Sequence, residues 1–423
     1  MTRFPRRNIL AAAGAAACAL ALHGQALAQA APAANPIKIG FSIALTGGYG
    51  GFGKSALLAR QIWQEDVNAR GGILGRPVQL VYYDDQTSPA NVPSIYSKLM
   101  FVDKVDLLLG PFGAILQRPI MPLVQQQDRL VFANFAFGTN DEAKYDKFFE
   151  AAPFGHGVGA YSGAFVKLAH QQGLKNLAVI SADTEATQQL AVGAKEIAAG
   201  LGMKVVYDQK YPANLVDFSS ILRTIQSTKP DAVLVVSLPV ESAALVRSVN
   251  ELGVGSGVKL FGGAIIGPQL APQLEALGSQ LNGMVTYQVY VPEKSMAAPG
   301  VAEFFAKYTP RAKQAQVDPL GFYLAPTNYA MGQVLEQAIT ATKTTDNKVL
   351  AKYMHQAEFS TVAGKISFDG HGYWAKPRMV QVQFQGLVDK NLEQFRQPGK
   401  QVIVWPPELA TGTLRTPFEA ARK

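Results

Sequence analysis

Ile37-Lys38-Ile39-Gly40-Phe41-Ser42-Ile43 alternates as a strand should, and the residues after it decide the fold. A glycine-rich loop leads into a helical stretch over 55–68, with apolar residues at Leu57, Leu58, Ile62 and Val67. Gly71-Gly72 stops that helix, because glycine tolerates positive φ. Residues 78–82 form the next strand, which ends in Asp84-Asp85. Two strands joined by a helix of this length pair in parallel, with the helix on one face of the sheet.

The same pattern continues outward. Residues 92–102 and 119–127 read as helices, and 105–109 and 130–132 as buried strands. It restarts with a helix over 154–172, closed by Gly173. Strands are expected at 177–180, 205–207, 232–236 and 258–261, with helices at 187–201, 218–227 and 242–252 between them. Helices at 300–308, 323–342 and 349–355, and short strands at 366–368, 379–384 and 402–404, return to the two units already built. The expected fold class is α/β: two doubly wound, Rossmann-like lobes joined by a three-stranded hinge.

Composition fits that reading. The chain has 423 residues, enough for more than one core, and 48% hydrophobic with 17% charged residues suits a globular protein rather than a disordered one. The front of the chain reads as an export signal. Arg3, Arg6 and Arg7 precede an apolar stretch over 9–22, and Ala26-Leu27-Ala28 offers a small-residue cleavage site. That order separates it from a buried Ala-rich helix. Arg6-Arg7 resembles a twin-arginine signal, although Pro5 stands where Ser or Thr is usual, and an ordinary secretory route stays open. Cys18, the single cysteine, leaves with the signal, so the mature chain faces an oxidising compartment with no thiol to pair. The formal charge is +8, and removing the three signal arginines leaves +5. The basic residues are scattered, so no nucleic-acid partner is expected.

Gly48-Tyr49-Gly50-Gly51-Phe52-Gly53-Lys54-Ser55 matches the phosphate-loop pattern letter for letter, between a strand and a helix. An ATPase using Lys54 is therefore a rival reading. It is set aside because export removes the chain from nucleotide pools and the residues downstream fit another family better.

Three segments carry that likeness. They are Ile37-Lys38-Ile39-Gly40 leading to Leu45-Thr46-Gly47; Asp66-Val67-Asn68-Ala69-Arg70-Gly71-Gly72-Ile73-Leu74-Gly75-Arg76-Pro77-Val78 followed by Tyr83-Asp84-Asp85; and Lys104-Val105-Asp106-Leu107-Leu108-Leu109-Gly110-Pro111. Further matches lie at Lys229-Pro230-Asp231-Ala232-Val233, at Val249-Asn250-Glu251-Leu252-Gly253 and across 364–372. Together they resemble the periplasmic leucine/isoleucine/valine-binding proteins of ABC importers. The resemblance implies a type I periplasmic binding protein: a monomer with no enzymatic activity and no cofactor or metal. It would close on a small-molecule ligand, an amino acid or small carboxylate, and pass it to a membrane permease. It also implies a division of the chain: 1–28 signal peptide, 29–36 leader, 37–153 and 287–362 first lobe, and 154–286 and 363–423 second lobe with the C-terminal tail.

In such proteins hydroxyls and backbone N–H groups of the first lobe hold the ligand carboxylate, and an acid of the second lobe holds the ammonium. The matching positions here are Ala114 and Phe135-Ala136-Phe137 for the carboxylate loops, with Phe52 as the lid. Ala186 and Leu238 stand where tyrosines are common, and Ala264 stands where the ammonium-binding acid would be. Each departure replaces a polar group by an apolar one. An ammonium buried without an acid or carbonyl cage costs several kcal/mol, so the usual zwitterion contacts are not expected. A carboxylate on the backbone N–H groups after Gly113 remains open, with Phe52, Phe112, Phe135 and Phe137 around an apolar body. The same four residues also read as core, in a chain with 22 Phe. Asp183, Glu185 and Glu241 are near enough in sequence to supply a substitute acid, though each reads first as a surface carboxylate, and Asp84-Asp85 reads as a structural turn rather than a cation site. His156, His170, His355 and His371 show no metal-ligand spacing. A ligand sensor on the same fold is the second rival.

Overall fold

The computed structural model describes residues 35–157 and 159–423. The export signal, Cys18 and most of the leader lie outside the described residues.

The first lobe is built on five parallel strands: β1 (Ile37–Ile43), β2 (Val78–Asp84), β3 (Leu107–Phe112), β4 (Val131–Asn134) and β5 (Phe148–Glu150), in the order β2-β1-β3-β4-β5. Every residue of β3 and β4 is buried, as a central parallel strand covered on both faces requires. Asn68 explains the glycine-rich motif that follows it. Its Oδ1 accepts the Val78 N–H at 2.7 Å and its Nδ2 donates to the Val78 carbonyl at 2.9 Å. Gly71 and Gly72, at φ 95° and 77°, turn the chain so that this clamp can close on the start of β2.

The second lobe is a seven-stranded sheet in the order β14-β13-β10-β9-β8-β6-β7. Its members are β6 (Asn176–Ala182), β7 (Lys204–Tyr211), β8 (Ala232–Ser237), β9 (Leu260–Ile265), β10 (Val285–Gln288), β13 (Val380–Phe384) and β14 (Gln401–Trp405). The strands from β10 to β7 run parallel, and β13 and β14 are antiparallel additions. A hairpin of β11 (Phe359–Thr361) and β12 (Gly364–Ile366) stands apart from both sheets.

The lobes share a local device. Asp106, just before β3, accepts the Lys38 N–H of β1 at 2.8 Å. Asp231, just before β8, accepts the N–H groups of Lys175 and Asn176 at the start of β6, at 3.0 and 2.8 Å. In each lobe an aspartate pins the start of the neighbouring strand.

The chain passes between the sheets three times. It leaves β5 for the helix Gly159–Gln171 and β6. It returns after β10 to the helix Val301–Gln314, where Arg311 pairs with Glu65 at 2.6 Å on the first-lobe helix Gly50–Ala69. It crosses again from β12 to β13.

Several boundaries differ from the sequence reading. The glycine loop before residue 55 is already helical, because the helix begins at Gly50. A Cβ on Gly53 would stand 1.8 Å from the Ala44 carbonyl oxygen, so only glycine lets this helix lie so close to the end of β1. The helix expected from 154 begins at Gly159, and the one expected over 300–308 runs past Pro310 to Gln314. The strand expected at 258–261 occupies Leu260–Ile265. β5 and β10 were not expected at all; both are too short to show a period of their own.

Candidate ligand site between the lobes

The site is built around a buried carboxylate that sequence reasoning missed. Glu150 ends β5 and is 2% exposed. Its two oxygens accept the N–H groups of Phe135 at 2.8 Å, Ala136 at 2.7 Å and Ala152 at 2.9 Å. This holds Phe135 at a φ of 61°, a left-handed conformation that a bulky residue avoids without such support. Burial pushes the Glu150 carboxyl up to about 7, against the pull of those N–H groups. The loop N–H groups of Phe135 and Ala136 are therefore engaged with Glu150. Only its place directly after two phenylalanines, a charge closing an apolar pair, could have drawn attention to it.

Above that anchor the aromatic positions meet. Phe52 and Phe112 lie 5.2 Å apart between ring centroids, Phe112 and Phe135 5.7 Å, and Phe135 and Phe137 6.1 Å. Tyr49, Phe154, Tyr161, Tyr287 and Tyr323 extend the set to nine rings. Phe52, Phe112 and Phe135 are buried, and Phe137 is half-buried. The cluster joins both lobes. Phe52, Phe112 and Phe135 belong to the first, Tyr161 and Tyr287 to the second, and Phe154 to a crossing segment. Tyr323 stands on a segment whose Leu320 and Phe322 are buried in the second-lobe core. The rings pack on one another where a ligand body was expected between them. The cavity bounded by Phe137, Glu150, Phe154 and Tyr373 is about 10 Å³.

Residues 36–386 match the family profile of the periplasmic binding proteins. The chain belongs to that family. The binding protein is 24% identical over 410 residues to Leu/Ile/Val-binding protein homolog 7 of Brucella melitensis biotype 1, covering 92% of this chain and 96% of that one. A leucine-binding protein from Thermotoga maritima superposes with a TM-score of 0.68 at 20% identity, over 84% of this chain and 95% of the other. A solute-binding protein from R. palustris, crystallised with benzoate, superposes with a TM-score of 0.66 at 19% identity, over 87% and 95%. These superpositions establish the type I periplasmic binding protein fold. The family binds solutes and is not enzymatic.

The binding protein departs from several sequence expectations at this site. Phe52 is buried and packs between Phe112 and Tyr323. Tyr49, half-buried, lies over Gly113, where its ring carbon would be 3.7 Å from an added Cβ. Ala114 opens a helical turn, Ala114–Gln117, in which the Gly113 carbonyl accepts the Gln117 N–H at 3.0 Å. Ala136 faces away from the rings and packs in the cluster behind β4. Ala186 is exposed in the first turn of the helix Glu185–Gly200 and is not brought to the rings. Leu238 is half-buried before the helix Pro239–Leu252. Ala264 is buried in β9, in the same apolar cluster as Tyr161 and Tyr287.

Glu241 is not the expected surface carboxylate. It is 1% exposed, its Oε1 accepts the Leu238 N–H at 2.7 Å, and burial raises its pKa. Asp183 is exposed, and Glu185 is exposed but paired with Arg118. The phosphate-loop residues cannot act as one. Gly50–Ser55 is helix, Lys54 points to solvent, and the Ser55 hydroxyl lies 2.6 Å from that of Tyr308. Asp84 is a turn residue, accepting N–H groups of Leu45 and Gln86, each at 2.9 Å. His156 and His371, far apart in sequence, meet with ring centroids 4.2 Å apart. Among the described residues no cluster of His, Cys, Asp and Glu is arranged to hold a metal.

Proposed function

We propose that the binding protein is the extracytoplasmic receptor of an ABC importer of the branched-chain and hydrophobic amino-acid class. A small ligand is captured between the lobes and the lobes close over it by bending at the three crossings. Residues 37–153 with 289–366 move as one body, and 154–288 with 367–423 as the other, boundaries moved from 286/287 and 362/363 so that β10 and the β11–β12 hairpin each stay whole. Residues 1–28 direct export and are removed, which places the mature monomer in the periplasm beside its permease. The observation that carries the reading is the ring cluster, drawn from both lobes and from a crossing segment. A single-lobe core has no need of rings from both bodies, whereas a cleft that opens and shuts exposes and covers them together. The names of its relatives, a Leu/Ile/Val-binding protein homolog, a leucine-binding protein and a solute-binding protein of an ABC transporter, support the same role. Solution scattering tests it: the radius of gyration falls when a tight ligand is added, and a radius that no tight ligand changes overturns the closure.

A second reading replaces the amino acid by an aromatic carboxylate. Ala264 at the acid position favours it, as does the benzoate held by one structural neighbour. Thermal-shift screening against both classes separates the two, since a ligand at 100 times its dissociation constant adds about 2.7 kcal/mol of stability.

A further inference from the structure

We infer that Tyr161, Tyr287 and Tyr323 form the polar end of the ligand site, and that the ligand is a flat aromatic ring bearing a hydroxyl or carboxyl group and no ammonium. This rests on the receptor reading above and, of the two ligand classes given there, takes the aromatic acid over the amino acid and names the side chains that would hold it.

The three tyrosines come from separate elements: the helix Gly159–Gln171, β10, and the segment before the helix Ala325–Thr342. Tyr161 and Tyr287 lie 4.3 Å apart between ring centroids, and Tyr287 and Tyr323 6.0 Å. Their exposures are 1%, 0% and 5%. Tyr323 in turn touches Phe52 and Phe135, at 5.5 and 5.0 Å, so the phenols stand at one end of an otherwise apolar ring cluster. The Tyr287 hydroxyl is buried with no partner in good hydrogen-bond geometry, and the groups that face it are the hydroxyls of Tyr161 and Tyr323, so the three phenols form one polar knot. A buried phenol ordinarily finds a hydrogen-bond partner. Burial pushes all three phenols far above their ordinary range, so they remain O–H donors at any working pH.

The surroundings of Tyr287 set the sign of the ligand. Gln269 donates from Nε2 to the Tyr287 carbonyl at 2.6 Å, and Gln381 stands opposite Tyr287 across β10 and β13. Each of these buried glutamines leaves its Oε1 without a partner. Phenol donors and neutral amide acceptors together suit a ligand hydroxyl or carboxyl. They do not neutralise an ammonium, which needs a carboxylate when taken out of water. Ala264 supplies none, both oxygens of Glu150 are engaged by backbone N–H groups, and the buried, unpartnered Oε2 of Glu241 belongs to the helix that follows β8, with β9 between that strand and β10. The walls favour a flat ring, which can take the edge-to-face contacts the rings now make with one another.

The test is calorimetric titration of the purified mature protein with benzoate, 4-hydroxybenzoate, L-phenylalanine and L-leucine, for the wild type and for Tyr161→Phe, Tyr287→Phe and Tyr323→Phe. The expected result is that a ring acid without an ammonium binds tightest. Tyr287→Phe should then weaken it about tenfold, the effect of losing one hydrogen bond of roughly 1.4 kcal/mol, with melting temperature unchanged or raised. Undiminished affinity in all three variants overturns the assignment of the phenols. Tighter binding of leucine or phenylalanine overturns the ligand class while leaving the receptor reading intact. No binding by any of the four compounds overturns the ligand class. If scattering with a wider panel of small acids then also shows no compaction, the receptor reading fails with it.

Discussion

Arg118 of the first lobe donates from Nη1 to Glu185 Oε1 of the second at 2.8 Å, and its other terminal nitrogen lies 3.2 Å from Glu142 Oε1 on its own lobe. The guanidinium thus ties the two bodies beside the exposed start of the helix Glu185–Gly200. Both carboxylates are largely exposed, so the pair is worth only about 0.2–1 kcal/mol and is screened by salt. Arg118→Gln should shift the ligand-free protein toward the open form at low ionic strength. Small-angle scattering should then show a larger radius than wild type, with the difference vanishing near 1 M salt, where the screening length is about 3 Å. Equal radii at low salt would mean that the pair does not hold the lobes together.

Glu150 gives stability a defined pH dependence. Its carboxyl is raised from 4.5 to about 7 in the folded chain. Between those values the folded state keeps a proton that the unfolded state has lost. Stability from this group is therefore present below about pH 4.5 and is lost as pH rises through about 7. The loss is roughly 3 kcal/mol at most. Urea denaturation of wild type and Glu150→Gln from pH 4 to pH 8 checks it. Wild type should lose stability relative to the variant across that window, and parallel curves would show that Glu150 does not titrate there.

Gly53 is held to glycine by the Ala44 carbonyl oxygen, 1.8 Å from where a Cβ would be. The obstacle is backbone and cannot swing aside. Gly53→Ala should cost roughly 1–3 kcal/mol through overpacking, despite the better helix propensity of alanine. The urea midpoint reads the change directly.

Arg60 is a buried cation on the helix Gly50–Ala69, 2% exposed. It donates from Nε to Asn328 Oδ1 at 2.9 Å and stacks 4.3 Å from the Phe41 ring centroid, while Nη1 has no partner. Desolvation lowers its pKa to about 10. Buried ionic groups are often replaced by apolar residues at no loss, so Arg60→Met should be neutral or stabilising. Arg60→Ala leaves a cavity instead and should cost about 2–5 kcal/mol by analogy with large-to-small core changes. Thermal melts of the two variants together separate the charge from the volume.

Most of the first lobe was legible in the sequence because its signals are local. The strand at 37–43, the stop at Gly71-Gly72 and the turn at Asp84-Asp85 each depend on residues within a few positions of one another. The ligand site was legible only in part. The four phenylalanines do meet, but Tyr161, Tyr287 and Tyr323, which complete the cluster, went unremarked. Tyr287 lies on β10, whose Val285-Thr286-Tyr287-Gln288 alternates as a strand should but is only four residues long, too short to stand out. Glu150 was missed for a related reason, since its role is to receive N–H groups of a loop that lies beside it only once β4 and β5 have paired.

The sequence by itself determined that this chain is an alternating α/β protein of two lobes, because apolar periodicity and glycine stops act over one helix or strand at a time. Tertiary structure alone decided which side chains share the space between the lobes. Tyr161 reaches Tyr287 because its helix packs within the second lobe, and Tyr323 does so only after the crossing that leaves the second sheet at the end of β10. Tertiary structure also decided which carboxylates are free. Glu150, Glu185 and Glu241 are chemically alike in the sequence. Folding buried the first under a loop, paired the second across the lobes and turned the third into a helix cap. Burial and pairing are properties of neighbours in space, and no spacing along the chain encodes them.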